Sequence, residues 1–212
     1  MANDIVKRGP LPAVTFSREF LIELWDNLSQ DGEIAWLVKV GTSGDLLGMQ
    51  EDRPEQNITD WEELLELLES LPRIYSLHIV AEIPDKGVVG IIYKNFNPCG
   101  GVLTISTDDK AWGEAKFDSL KEFFADQKEN FLTKLYSRMG FGVVQTLIPL
   151  SLSFVIVMLA AALLIPAWIR QSELLWWITA GTLVATLRLA YYFSDKMIIY
   201  VMKKYPYMRW LS

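Results

Sequence analysis

The sequence predicts an α+β domain, mostly antiparallel sheet with about three helices, followed by a two-helix transmembrane hairpin. Three observations carry that reading. Charge is divided unevenly: residues 1–140 hold 14 Lys/Arg against 24 Asp/Glu, whereas residues 141–212 hold 6 against 2, with 48 hydrophobic residues out of 72. A run of 31 residues, Met139 to Ile169, carries no charge, and about 20 apolar residues suffice to cross a bilayer core. The front part alternates helical and two-residue apolar periodicities between turn sequences. The chain therefore divides into a cytosolic domain over 1–138 that ends in a long connector helix, a hairpin over 139–194, and a basic cytosolic tail over 195–212.

Residues 17–29 set Phe20, Leu21, Leu24, Trp25 and Leu28 on one helical face, with Ser17 placed to cap them. Gly32 breaks this helix, and residues 33–40 read as a strand with a central apolar run. Residues 41–58 form a Gly- and acid-rich loop. Its GTSGDLLG stretch lacks the Gly-Lys-Ser/Thr ending of a nucleotide P-loop, so it reads as a solvated surface loop. Thr59 and Glu62 make a capping box for a helix over 60–71, which Pro72 ends. Trp61, Leu64, Leu65, Leu68 and Leu71 form its apolar stripe, with Glu62, Glu63, Glu66 and Glu69 outside. Strands over 74–83, 88–96 and 101–107, joined by turns at 84–87 and 97–100, imply an antiparallel meander. A helix over 110–138, capped by Asp108 or Asp109, then reaches Gly140 and Gly142, which read as a hinge.

Two spans are expected, near 144–167 and 174–194. Lys128, Lys134 and Arg138 precede the first, and Lys196, Lys203, Lys204 and Arg209 follow the second, while the short intervening loop offers only Arg170. The positive-inside rule then sets both termini in the cytoplasm of a two-pass cell-membrane protein. Either the second span continues as a helix to about Lys204, or the tail with its four basic residues lies on the anionic inner leaflet. Arg188 is the one charge within a span, at a cost of roughly 2.5–3.5 kcal/mol if central. It either snorkels to the headgroups or lines a path. Gly181 and Ala185 share its stripe in a small-xxx-small pattern suited to helix packing. Thr182 and Thr186, with Gln145, Ser151 and Ser153 on the first span, are the polar side chains available to an ion pathway.

Composition also excludes classes. Cys99 is the single cysteine and His78 the single histidine, so a disulfide scaffold and a Cys- or His-rich metal site are ruled out. No cofactor is expected. No nucleophile–base constellation stands out, so the chain does not read as an enzyme. The acidic front half disfavours binding to a nucleic-acid duplex. Arg18, Lys39, Arg53, Arg73 and Lys94 are the donors from which a local basic pocket would have to be built.

The expected function is a membrane effector: a homo-oligomeric ion channel or membrane-permeabilising protein gated by its cytosolic sensor domain. The alternative is a membrane-tethered sensor or adaptor with the hairpin as a passive anchor. The expected partners are the bilayer, further copies of the chain, and a cytosolic ligand or protein of unknown identity.

Overall fold

Alternation of apolar residues along three consecutive segments builds the centre of a sheet. The computed structural model describes residues 5–42, 55–96, 99–126, 146–164 and 174–211. In chain order its elements are β1 (Ile5–Leu11), β2 (Val14–Phe16), α1 (Arg18–Ser29), β3 (Ala35–Gly41), β4 (Glu55–Ile58), α2 (Trp61–Ser70), β5 (Ser76–Ile83), β6 (Gly87–Lys94), β7 (Gly100–Thr107), α3 (Lys110–Ala125), α4 (Ile148–Leu164), α5 (Leu174–Lys204) and β8 (Met208–Trp210). The fold is α+β: a six-stranded antiparallel sheet in the order β1-β7-β6-β5-β3-β4, with five helices among the described residues.

One face of the sheet is the core. Val38, Ile79, Ile91 and Leu103 are direct partners across four strands and are all buried. The row ends at Gly9 of β1. A Cβ there would meet the Phe117 ring at 2.6 Å, so only glycine lets α3 settle this close to the edge strand. The opposite face, including Leu37, His78, Val80 and Thr104, is partly open. The expected meander is present as β5, β6 and β7, with His78 on the open face.

Caps and termini follow local chemistry. The Ser17 hydroxyl accepts the Phe20 N–H at 3.2 Å, as its position before an apolar-periodic run implies. For α2 the cap is Asp60 rather than Thr59: its carboxylate accepts the Glu62 and Glu63 N–H groups at 2.9 and 3.0 Å. A carboxylate serves two amides at a helix N-terminus, where its charge also opposes the dipole. Asp109 caps α3 through Trp112 N–H. α3 ends at Ala125 with Asp126 as its C-cap, short of the helix expected over 110–138, and residues 127–138 lie outside the described residues. The side chain of Lys116 is buried on α3, with Nζ 2.9 Å from Asp31 and 2.5 Å from the Asn27 carbonyl. Burial raises the Asp31 pKa, but the hydrogen bond and charge of Lys116 leave it below the usual value.

Four strands escape the sequence pattern: β4, which pairs antiparallel with β3 inside the segment 41–58 expected to be a loop, and β1, β2 and β8. β1 is an edge strand carrying Lys7, Arg8 and Pro10, residues that blunt an edge and mask alternation. β2 and β8 have three residues each and pair in parallel, Val14 with Met208 and Phe16 with Trp210. The segment 195–212, expected as a basic tail, thus enters the fold twice. Residues 195–204 continue α5, and residues 208–210 form β8. Ile198, Met202, Tyr207 and Met208 are buried in the same core as Phe16 and Tyr93. Each such apolar side chain contributes about 1.5–3 kcal/mol when fully removed from water.

Asn95, 3% exposed, holds this return. Its Nδ2 donates to the Ile74 and Met208 carbonyls at 2.7 and 2.6 Å, and its Oδ1 accepts the Met208 N–H at 2.7 Å. Tyr207 Oη donates to the Leu11 carbonyl at 2.7 Å, and Leu211 N–H to the Phe16 carbonyl at 2.8 Å. Asn95→Ala orphans buried backbone groups of Met208 and Ile74, so we predict a loss of about 2–4 kcal/mol. The check is chemical denaturation of the detergent-solubilised chain, with Ser70→Ala, at an exposed helix position, as the neutral comparison.

Candidate functional site

The residues singled out from the sequence fall mostly on α4 and α5, which pack against each other. On α4, Pro149, Ser153 and Val157 are buried at i, i+4, i+8, the spacing of one helical face. The rest of its surface is apolar and exposed, including Leu152, Phe154, Val155 and Met158. On α5, the half-buried face carries Thr179, Thr182, Leu183, Thr186 and Leu187. The threonine hydroxyls donate to carbonyls of their own helix: Thr182 to Ile178 at 2.7 Å and Thr186 to Thr182 at 2.8 Å. That satisfies the hydroxyls without any partner across the pair.

The opposite face of α5 carries Gly181, Ala185 and Arg188, all exposed. A Cβ on Gly181 would meet nothing within 4 Å. The small-residue pair is therefore not the seam between the two helices of one chain. Ser151 is exposed, whereas Ser153 is fully buried, and its hydroxyl has no hydrogen-bond partner among the described residues. Ser151 therefore lies on the open surface of α4, and Ser153 on its covered face. Gln145, Gly140 and Gly142 lie outside the described residues. Among the described residues no helix is long and apolar enough to cross a membrane. α4 is described over 17 residues, and the apolar run of α5 is interrupted at Arg188.

The basic residues after position 194 divide. Lys196 is exposed on α5, with its ammonium 5.5 Å from the centre of the Tyr192 ring. Lys203, Lys204 and Arg209 instead gather with Arg73 around a cleft at the foot of α5. Arg18, Lys39 and Lys94 do not line this cleft. Lys39 sits directly beside His78 on the adjacent strand of the open sheet face, and Lys94 lies on the same face. Arg18 opens α1, and Arg53 lies outside the described residues. Proximity of Arg73 to Lys203 was not legible in the sequence, because 130 positions separate them.

Cys99 is buried, and burial pushes its thiol up to about 12, so it carries no thiolate near neutrality. Among the described residues no group of three His, Cys, Asp or Glu side chains is arranged to hold a metal.

Burial lowers the pKa of His78, and the Lys39 charge lowers it further against the opposing pull of Glu55. The folded state thus prefers the neutral imidazole. As pH falls below the ordinary value of 6.5, the unfolded chain binds the proton first and folding loses stability. As the single histidine, His78 gives an unambiguous NMR titration. We predict a midpoint below 6.5, and a rise with Lys39→Ala that recovers only part of the shift.

Comparison with protein-family models, with curated proteins and with solved structures yields no match.

Proposed function

We propose that the chain is a two-pass membrane effector: a homo-oligomer whose α4–α5 pairs cross the bilayer and conduct ions under the control of the front domain. The observation that carries this reading is the continuity of α5. Its 31 residues extend about 46 Å at 1.5 Å per residue. A hydrocarbon core needs about 30 Å of this. The remainder is the stretch whose Ile198 and Met202 are buried in the domain core. One rigid element is thus shared between an apolar helix pair and the domain.

Further features support it. The outward apolar surface of α4 suits lipid far better than water. The pairing of β2 with β8 keeps the front of the chain and its final strand on one side of any membrane, and the Lys/Arg distribution makes that side the cytoplasm. Gly181, Ala185 and Arg188 lie on the α5 face that α4 leaves uncovered. In an oligomer that face meets a neighbouring copy, with close backbone approach at the small residues and a ring of arginines that favours anions.

The passive-anchor reading draws on one observation, the satisfaction of the threonine hydroxyls within their own helix. Exchange of residues 146–193 for an unrelated helical hairpin separates the two. It leaves Ile198 and everything after it in place, so the domain core is untouched. An adaptor keeps its activity after the exchange, and a channel loses it.

The direct test is chloride efflux from vesicles reconstituted with the full chain. We predict efflux from wild type and at least a tenfold drop for Arg188→Ala. Absence of efflux from wild type, with the protein inserted and folded, contradicts the channel.

A further inference from the structure

The cleft at the foot of α5 has a volume of about 370 Å³, at the small end of the range for ligand pockets, roughly 300–1,000 Å³. It forms where the end of α2, the end of α5 and β8 meet. Arg73, Lys203, Lys204 and Arg209 line it, against one acid, Glu69. The chain as a whole has a net charge of −6, so four cations against one carboxylate invert the local sign. None of the four takes part in a salt bridge among the described residues.

Helix chemistry accounts for part of this cluster. Arg73 Nη2 donates to the Lys203 carbonyl at 2.9 Å, which satisfies a terminal acceptor of α5, and cations suit the negative end of a helix. It does not account for Arg209, which lies on β8, nor for Trp210. The indole N–H of Trp210, also in the lining, is buried and has no hydrogen-bond partner among the described residues. An unpaired buried donor is costly, and an anionic oxygen is a suitable acceptor. Pro72, Pro206 and the indole ring add apolar wall beside the charges.

We infer that this cleft binds a compact phosphorylated anion through Arg73, Lys203, Lys204, Arg209 and the Trp210 indole N–H. Arginine forks and lysine ammonium groups match phosphate oxygens in charge and geometry. The phosphate comes either from a free small molecule or from a lipid headgroup. Lys203 lies nine residues past 194, about 14 Å along the helix. A free molecule reaches that depth without restraint, and a headgroup reaches it only if the domain sits close against the leaflet. The site grips the α5 terminus and β8 together, so occupancy favours one placement of the helix over others. That regulatory consequence rests on the proposed function, whereas binding does not.

The test is isothermal titration of pyrophosphate into the full chain in nanodiscs of phosphatidylcholine alone. The variant is K204Q/R209Q, which changes two exposed side chains and leaves Arg73 and its bond to α5 in place. K110Q/K121Q, on α3, removes the same charge elsewhere. We expect saturable binding by wild type and by K110Q/K121Q, and at least tenfold weaker binding by K204Q/R209Q with unchanged thermal unfolding. Repetition in nanodiscs containing a phosphoinositide identifies the source: lost pyrophosphate binding supports a headgroup, and retained binding supports a free molecule. No saturable binding by wild type, or equal weakening in both variants, overturns the site. Failure here leaves chloride efflux untouched, and failure of efflux leaves binding untouched.

Discussion

The clamp of Asn95 on the backbone of Met208 is the constraint on which the rest of the molecule depends. A three-residue strand contributes too few ladder bonds to hold a chain end by itself. The buried amide supplies what the ladder lacks, by donating to one group of Met208 and accepting from another. With Met208 fixed, Tyr207 reaches Leu11 and the final residues pair with β2. α5 is then positioned through the core contacts of Ile198 and Met202. The last fifteen or so residues are therefore part of the domain that the first hundred begin.

This changes which element links the domain to the apolar helices. A helix leading from the sheet into the first apolar segment would carry motion through a glycine joint. In the structure the described continuous link is α5, which leaves the core without a break and carries Arg188 about 15 Å beyond Ile198 at 1.5 Å per residue. A ligand at the foot of such a helix acts on it directly, because Lys203 and Lys204 belong to both the cleft and the helix. The net negative charge of the first 140 residues is carried in part by exposed faces such as Glu62, Glu63 and Glu66, and the local basic cleft stands out against it.

Local signals were legible in the sequence and convergent ones were not. Apolar spacing and turn residues identified α1, α2 and the β5–β7 meander, since each depends on neighbours a few positions away. The Asp60 cap was off by one, because two adjacent oxygen-bearing side chains compete for the same amides. β1 was hidden by the charges and proline that protect a sheet edge. β8 was hidden by its length and by a partner almost the whole chain away. Continuation of α5 to Lys204 was one of the two readings open for the tail, and the structure takes it; the burial of Ile198 and Met202, four apart on one face, in the domain core was not legible, because it depends on tertiary folding. The gathering of Arg73 with Lys203, Lys204 and Arg209 depends on tertiary folding alone.

The central claim is that the end of the chain is built into the front domain beside β2. Thr15 and Arg209 are exposed register partners in the parallel pair, and adjacent strands lie about 4.8 Å apart, within the span of a disulfide. The most direct measurement is oxidation of a Thr15→Cys, Arg209→Cys double variant in isolated membranes, with migration on a non-reducing gel as readout. The buried Cys99 thiol does not compete. The account predicts rapid formation of an intramolecular bond and a faster-migrating monomer. Free thiols, or bonds formed only between chains, would contradict it.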